Sequence, residues 1–269
     1  HDDFGGHAKR NEFDVEGRLL IGYGGSQSID GPAHYSPQAR RLLEEIGVRT
    51  ERFYDYFDQG FYERFGLKTG MFLDKKSYGA DQVSILPFGY WGHQPDAQAT
   101  LDAISKLPFS DDVRDNIGHL LTENQNLLSD KTIDEKIAYL RKTSYEEFLR
   151  RDAGAPEEFL TLLRRTVAGL WGAGWDVLSA LEGVRLGMPC VKDMGLEPHI
   201  AETYDSAEPY IFHFPDGNAS LARLMVRKLA PQSTPGDSME DIVLAPVDYA
   251  MLDRDDARVR IRLNATAVD

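Results

Sequence analysis

Cysteine is almost absent from this chain. Cys190 stands alone, which excludes an internal disulfide framework, a cysteine-rich zinc site and a C-x-x-C-H haem attachment. Long apolar runs are missing as well, so no segment reads as a membrane-spanning helix. Positive charge is in deficit: 30 Lys and Arg against 44 Asp and Glu leave a net charge of −14. Such a field repels nucleic acid and could help steer a polyamine inward, although ordinary solubility charge is the simpler account. There is no Walker loop, no G-x-S-x-G elbow and no H-E-x-x-H, which removes the ATPase, esterase-type hydrolase and zinc-protease readings. The seven histidines, at 1, 7, 34, 93, 119, 199 and 213, share no ligand spacing, and no metal site is expected. What remains is a globular composition, 42% hydrophobic with 10% aromatic residues, enough to build a sizeable core in one large or two ordinary domains.

Glycine, by contrast, is placed with purpose. Gly5-Gly6 is followed by His7-Ala8 and the basic pair Lys9-Arg10. Adjacent glycines admit positive φ and close ligand approach, while the amides and cations after them can face a phosphate. A surface turn with two solvated cations is the plainer reading. The alternating run Asn11–Val15, the turn Glu16-Gly17-Arg18 and the apolar run Leu19–Ile21 then predict a hairpin. It leads into a second doublet, Gly24-Gly25, with Ser26, Gln27 and Ser28 behind it.

Three segments carry a likeness: His1–Phe13 (HDDFGGHAKRNEF), Tyr23–Ile29 (YGGSQSI) and Tyr210–Ser220 (YIFHFPDGNAS). Together they resemble the flavin-containing amine oxidase superfamily, and within it the spermidine dehydrogenase-like branch of FAD-dependent oxidoreductases, along essentially the whole chain. The resemblance implies an α/β fold with α+β mixture, in which a partial FAD-binding Rossmann-like domain of the amine oxidase type carries an inserted, largely helical substrate or cap domain. It further implies FAD as cofactor, held by Gly5, Gly6, His7, Ala8, Lys9, Arg10, Gly24, Gly25, Ser26 and Gln27, with the backbone of Val268 meeting adenine. Some members of the branch also carry a non-covalent haem, for which this chain suggests no ligands. The family opens with a strand, a G-x-G-x-x-G turn and a helix, and none occurs here. The chain is therefore expected to be an internal piece of a longer protein, with that unit upstream of His1, and to hold FAD poorly on its own, since the missing turn binds the pyrophosphate.

Taken in order, residues 1–52 are expected in the FAD-binding part, 53–208 in the substrate or cap domain, and 209–269 in the return. Ser36-Pro37 predicts a helix start, with Ala39, Leu42, Leu43 and Ile46 as its buried stripe and Gly47 as its end. The aromatics from Phe53 to Tyr62 read as packing. Strands are expected at Gly70–Asp74 and Gln82–Leu86, with a turn between them. Six helices follow, at 96–106, 111–124, 133–142, 145–152, 156–171 and 176–186, two of them announced by capping-box patterns at Thr132 and Ser144. This block, mainly helical from 96 to 187, is either a cap that excludes water from a reacting carbon or an insert that merely packs. Trp171 and Trp175, separated by Gly172-Ala173-Gly174, are candidates to line a pocket for an aliphatic amine, with core packing as the plainer alternative. A strand at 209–214 leads to a helix capped by Asn218, with Leu221, Leu224, Met225 and Leu229 inward and Arg223, Arg227 and Lys228 outward. His213 and Asp216 are the expected substrate contacts there. Val259, Ile261 and Leu263 alternate with Arg258, Arg260 and Arg262, predicting a last strand.

The expected activity is oxidation of a C–N bond of an amine or polyamine by hydride transfer to flavin. No catalytic acid or base is singled out, because the cofactor supplies the chemistry. Two alternatives remain: a flavin-dependent desaturase or oxidase of a non-amine substrate, and a non-catalytic helical binding module. Electron acceptor and compartment are left open.

Overall fold

The computed structural model describes residues 2–88, 96–123, 126–191, 193–196, 199–200 and 211–268. The chain mixes helix and strand, 41% and 11%, and the strands form only three two-stranded antiparallel pairs, so no parallel dinucleotide-type sheet stands among the described residues. Two compact units result, His1–Gly60 with Tyr210–Asp269, and Phe61–Pro209.

The first unit begins with a hairpin, β1 (Arg10–Val15) against β2 (Arg18–Tyr23), in register from Arg10 opposite Tyr23 to Val15 opposite Arg18. Glu16 and Gly17 both have positive φ, 53° and 77°, the twist that a two-residue hairpin turn needs, and the Asp14 carboxylate accepts the Gly17 amide at 3.1 Å. β3 (Ile29–Asp30) then pairs with β6 (Ile211–Phe212) near the other end of the chain. This short ladder is why the terminal segments form one body. Ile29, Val48, Phe53, Phe212, Phe214, Leu224, Met239 and Ile242 pack as its core. Phe53 stacks on Phe212 at 5.5 Å and meets Phe214 edge-on at 5.1 Å, drawing the start of the aromatic run into this unit.

Helix α1 (Pro37–Glu45) starts at Ser36, whose hydroxyl accepts the Ala39 amide at 3.2 Å. Its expected buried stripe is shallower than the pattern implied. Leu43 and Ile46 pack at the margin of the core, but Leu42 is exposed.

The second unit carries α2 (Phe61–Arg64), the pair β4 (Gly70–Leu73) and β5 (Gln82–Ile85), and between those strands α3 (Lys75–Tyr78) where a turn was expected. Asp74 caps α3 by accepting the Ser77 amide at 3.0 Å. Then come α4 (Ala97–Ile104), α5 (Asp111–Thr122), α6 (Ile133–Lys142) and α7 (Tyr145–Arg151). The capping box at α6 is complete: Thr132 Oγ1 accepts the Glu135 amide and Glu135 returns a carboxylate to the Thr132 amide at 2.9 Å. The helix expected over 156–171 is interrupted, giving α8 (Glu157–Leu163) and α9 (Ala168–Trp171). The carbonyl of Arg164 accepts the Trp175 amide at 2.9 Å and the Trp175 indole donates to Thr166 Oγ1 at 3.0 Å. Residues 164–167 turn to receive that side chain instead of extending the helix. α10 (Ala180–Arg185) accordingly begins later than the sequence pattern suggested, at a Ser179 cap. No helix of the described residues is long and apolar enough to cross a membrane.

In α11 (Ala219–Leu229) the expected faces are partly inverted. Arg223 is buried, whereas Met225 and Leu229 are exposed. The reason is hydrogen bonding: the Arg223 guanidinium donates to the carbonyls of Ile242 and Ala245, and Arg227 donates to Asp241 at 2.5 Å and to the Ser238 carbonyl at 2.6 Å. Both arginines fasten an irregular segment to the helix, and a buried cation with carbonyl partners competes well with an aliphatic side chain. Residues 258–263 keep their alternating burial, with Ile261 and Leu263 against Val226, Ala230 and Leu252, but form no strand, and residues 264–267 are all exposed. Arg260 and Arg262 instead converge on Asp253 at 2.6 Å each.

Candidate functional site

The two glycine doublets lie side by side. Past the Arg10–Tyr23 pair the hairpin continues through Gly24 N to the Lys9 carbonyl at 2.9 Å and Ser26 N to the His7 carbonyl at 3.3 Å. A Cβ at Gly24 would lie 2.8 Å from the Lys9 oxygen, and one at Gly25 2.6 Å from the His7 oxygen. These two glycines serve contact between the chain's own segments. Gly5 and Gly6 turn in the left-handed region, φ 91° and 55°, with the Ala8 amide closing onto the Gly5 carbonyl at 2.8 Å. Gly5 is packed against Ala8 and Ala222, but nothing lies within 4 Å of a Cβ at Gly6. Gly6 is thus the glycine of this ledge whose surroundings are open. Lys9 reaches Asp2 at 3.3 Å with 40% of its side chain exposed.

The start of α11 closes the ledge. Gly217, at φ 66°, has Ser26 O 2.5 Å from where its Cβ would be, so only glycine fits. Asn218 donates from its backbone to Ser26 O at 3.0 Å, and from Nδ2 to Ser26 Oγ at 2.8 Å and Ser28 O at 3.1 Å. The side chain expected to cap α11 therefore clamps the second glycine segment. Its Oδ1 is buried without a hydrogen-bond partner.

Asp216 is not the substrate contact the sequence suggested. It is fully buried, accepting Ser220 Oγ at 2.7 Å on one oxygen and Arg10 Nη1 at 3.3 Å on the other. Arg10 also donates to Glu12 at 2.7 Å and to the Val243 carbonyl, so its guanidinium is held by protein groups. Burial, and then the neighbouring Arg10 charge, push the Arg223 guanidinium below its ordinary value. His213 sits edge-on to Tyr23 with ring centres 5.8 Å apart.

The two tryptophans expected to line a pocket are placed differently. Trp175 is fully buried, 4.5 Å from the Tyr145 ring, and is core; Trp171 is partly exposed at the end of α9 beside left-handed Gly172. Gly174 lets the backbone pass the Arg164 carbonyl, which turns the second indole inward. Val268, expected to meet adenine, is 87% exposed.

A cleft of about 440 Å³ opens in the same unit, lined by Phe53, Tyr56, Phe57, Phe214, Glu240 and Leu244 among others. Tyr56 donates to Glu240 Oε1 at 2.8 Å, and Arg52 pairs with the same oxygen at 2.9 Å. The Tyr56 phenol is raised chiefly by that bond to Glu240. Burial acts to raise the Glu240 carboxyl, but the bonds it accepts, Tyr56 first, hold it below its usual value. Pattern reading missed the roles of Glu240 and Asn218: Glu240 lies in a polar loop, and Asn218 has the residue type and position of an ordinary helix cap.

Three features of the ledge bear on whether it could hold a dinucleotide: the open side of Gly6, the half-exposed Lys9 side chain paired with Asp2, and the buried Asn218 Oδ1 with no hydrogen-bond partner. Among the described residues no group of three His, Cys, Asp or Glu could hold a metal ion. No family model and no curated protein matches this chain.

Proposed function

We propose that this chain is part of an FAD-dependent oxidoreductase that removes hydride from the carbon beside an amine or polyamine nitrogen. The sequence likeness of its three quoted segments to the spermidine dehydrogenase-like branch supports the substrate class. One structural observation carries the cofactor side: segments 5–10, 24–28 and 217–218, far apart in sequence, meet in one ledge around an open left-handed glycine. Bound FAD supplies the hydride acceptor. In this reading Gly6 gives the cofactor close access to the backbone, Lys9 offsets phosphate charge, and Asn218 Oδ1 accepts a donor from it.

A second reading keeps the flavin and replaces the amine with an unsaturated or isoprenoid hydrocarbon. The predominantly apolar lining of the cleft favours it. Absorption spectra of the protein that carries this chain separate the readings. A flavin band bleached anaerobically by spermidine is the expected result. A band that only a hydrocarbon substrate bleaches selects the second reading, and a colourless protein sinks both in favour of a non-catalytic module.

A further inference from the structure

The cleft beside β6 uses almost none of the residues of the glycine ledge, and it has a chemistry of its own. Its wall is aromatic and aliphatic, Phe53, Tyr56, Phe57, Phe214 and Leu244. Its volume, about 440 Å³, is in the range of small-molecule sites.

The charge balance at its mouth decides which ligand class fits. Among the described lining residues Glu240 is the carboxylate and His213, the expected substrate contact, the imidazole, and Glu240 Oε1 already takes the Tyr56 hydroxyl and the Arg52 guanidinium. A cation entering here meets a carboxylate whose charge Arg52 offsets, and gives up hydration among phenyl rings. An anion likewise finds Arg52 already offset by Glu240 and gives up hydration as well. A neutral molecule avoids both costs, gains from leaving water against the rings, and can offer one donor to a carboxylate that has further lone pairs.

We propose that this cleft binds a neutral, largely apolar small molecule with a single hydroxyl or N–H donor, its body against Phe53, Phe57 and Phe214 and its donor on Glu240. The site rests on the geometry of the first unit; in the hydrocarbon reading above the same cleft is the substrate's, and the dye titration, which needs no flavin, stands or falls apart from that reading.

Titration of the full chain with N-phenyl-1-naphthylamine, a neutral dye that brightens in apolar surroundings, tests the site. The expected result is saturable one-site binding, with 1-decanol displacing the dye about tenfold more effectively than decylammonium, because the ammonium alone must be desolvated. Leu244→Asp, at an exposed lining position, should weaken dye binding about tenfold by placing a charge at the mouth. Should that variant fail to fold, Leu244→Asn carries the same expectation in reduced size. Arg52→Gln removes the cation that offsets Glu240 and should bring decylammonium to within about threefold of decanol. Decylammonium displacing the dye as well as decanol in the unaltered protein overturns the proposal. So does dye binding indifferent to both Leu244 variants. Neither arm reads flavin, so the outcome is separable from the visible-band experiment.

Discussion

Single atoms decide which glycines this ledge needs and why. Gly25 faces the His7 carbonyl at 2.6 Å and Gly6 faces nothing, so the same change at each should act differently. Gly25→Ala forces two backbone segments apart and should cost about 1–3 kcal/mol in urea unfolding, the usual range for overpacking. Gly6→Ala should cost only about 1–2 kcal/mol of left-handed strain, yet weaken FAD binding by flavin fluorescence if the cofactor passes there. Equal FAD affinity of Gly6→Ala and the unaltered protein would count against the ledge as the cofactor site. Asp216 gives the sharper stability test. Truncating it to Ala leaves Ser220 Oγ without its acceptor and Arg10, its side chain 13% exposed, with only Glu12 and the Val243 carbonyl among these partners, and should cost about 1–3 kcal/mol. Loss of less than about 0.5 kcal/mol, the size of an ordinary surface change, would mean the pair is solvated.

At the scale of elements, α11 shows how far hydrophobic periodicity reaches. The pattern located the helix but assigned Arg223 to the wrong side, because a polar side chain with two carbonyl acceptors is indistinguishable in sequence from a solvated one. Arg223→Ala leaves the Ile242 and Ala245 carbonyls without this donor and should destabilise by about 1–3 kcal/mol, whereas Met225→Ala, at an exposed position, should stay within about 0.5 kcal/mol. The segment that Arg223 and Arg227 hold is acid-sensitive. Burial tends to raise Asp241, but the amides of Ser238 and Asp237, the Ser238 hydroxyl and Arg227 bring it down to about 2. A carboxyl depressed on folding contributes stability above its unfolded pKa and loses it as pH falls through the folded one. Acid unfolding between pH 3.8 and about 2 should therefore be shallower in Asp241→Asn, as read by circular dichroism; an unchanged profile would remove Asp241 from the acid response. Local signals served the capped helices well: Thr132–Glu135 and Ser36-Pro37 act through neighbours three residues away. They failed at 156–171, where Trp175 claims a carbonyl that a continuous helix would have used.

For the whole molecule the consequential fact is that the ends of the chain together make one unit and the middle makes another. Ile29, Val48 and Phe53 have their core partners at Phe212, Phe214, Leu224, Met239 and Ile242, and β3 finds its ladder only in β6. A peptide of residues 1–60 should therefore show no cooperative thermal transition by circular dichroism, since an isolated hairpin with an exposed face is marginal in water. A sharp transition in that peptide would contradict the shared core.

The amino-acid sequence by itself determined the hairpin with its Glu16-Gly17 turn, the helical texture of the middle and the capped starts of its helices. Each depends on neighbours a few residues apart. It also marked both glycine doublets as places of close approach. Only the tertiary structure decided what approaches them: Gly25 meets His7, Gly217 meets Ser26, and Gly6 is left open. It alone sent Asp216 and Trp175 inward and assembled Phe53, Phe214 and Glu240 into one cleft. Burial and pairing across some two hundred residues depend on which distant segments meet, and no local pattern carries that.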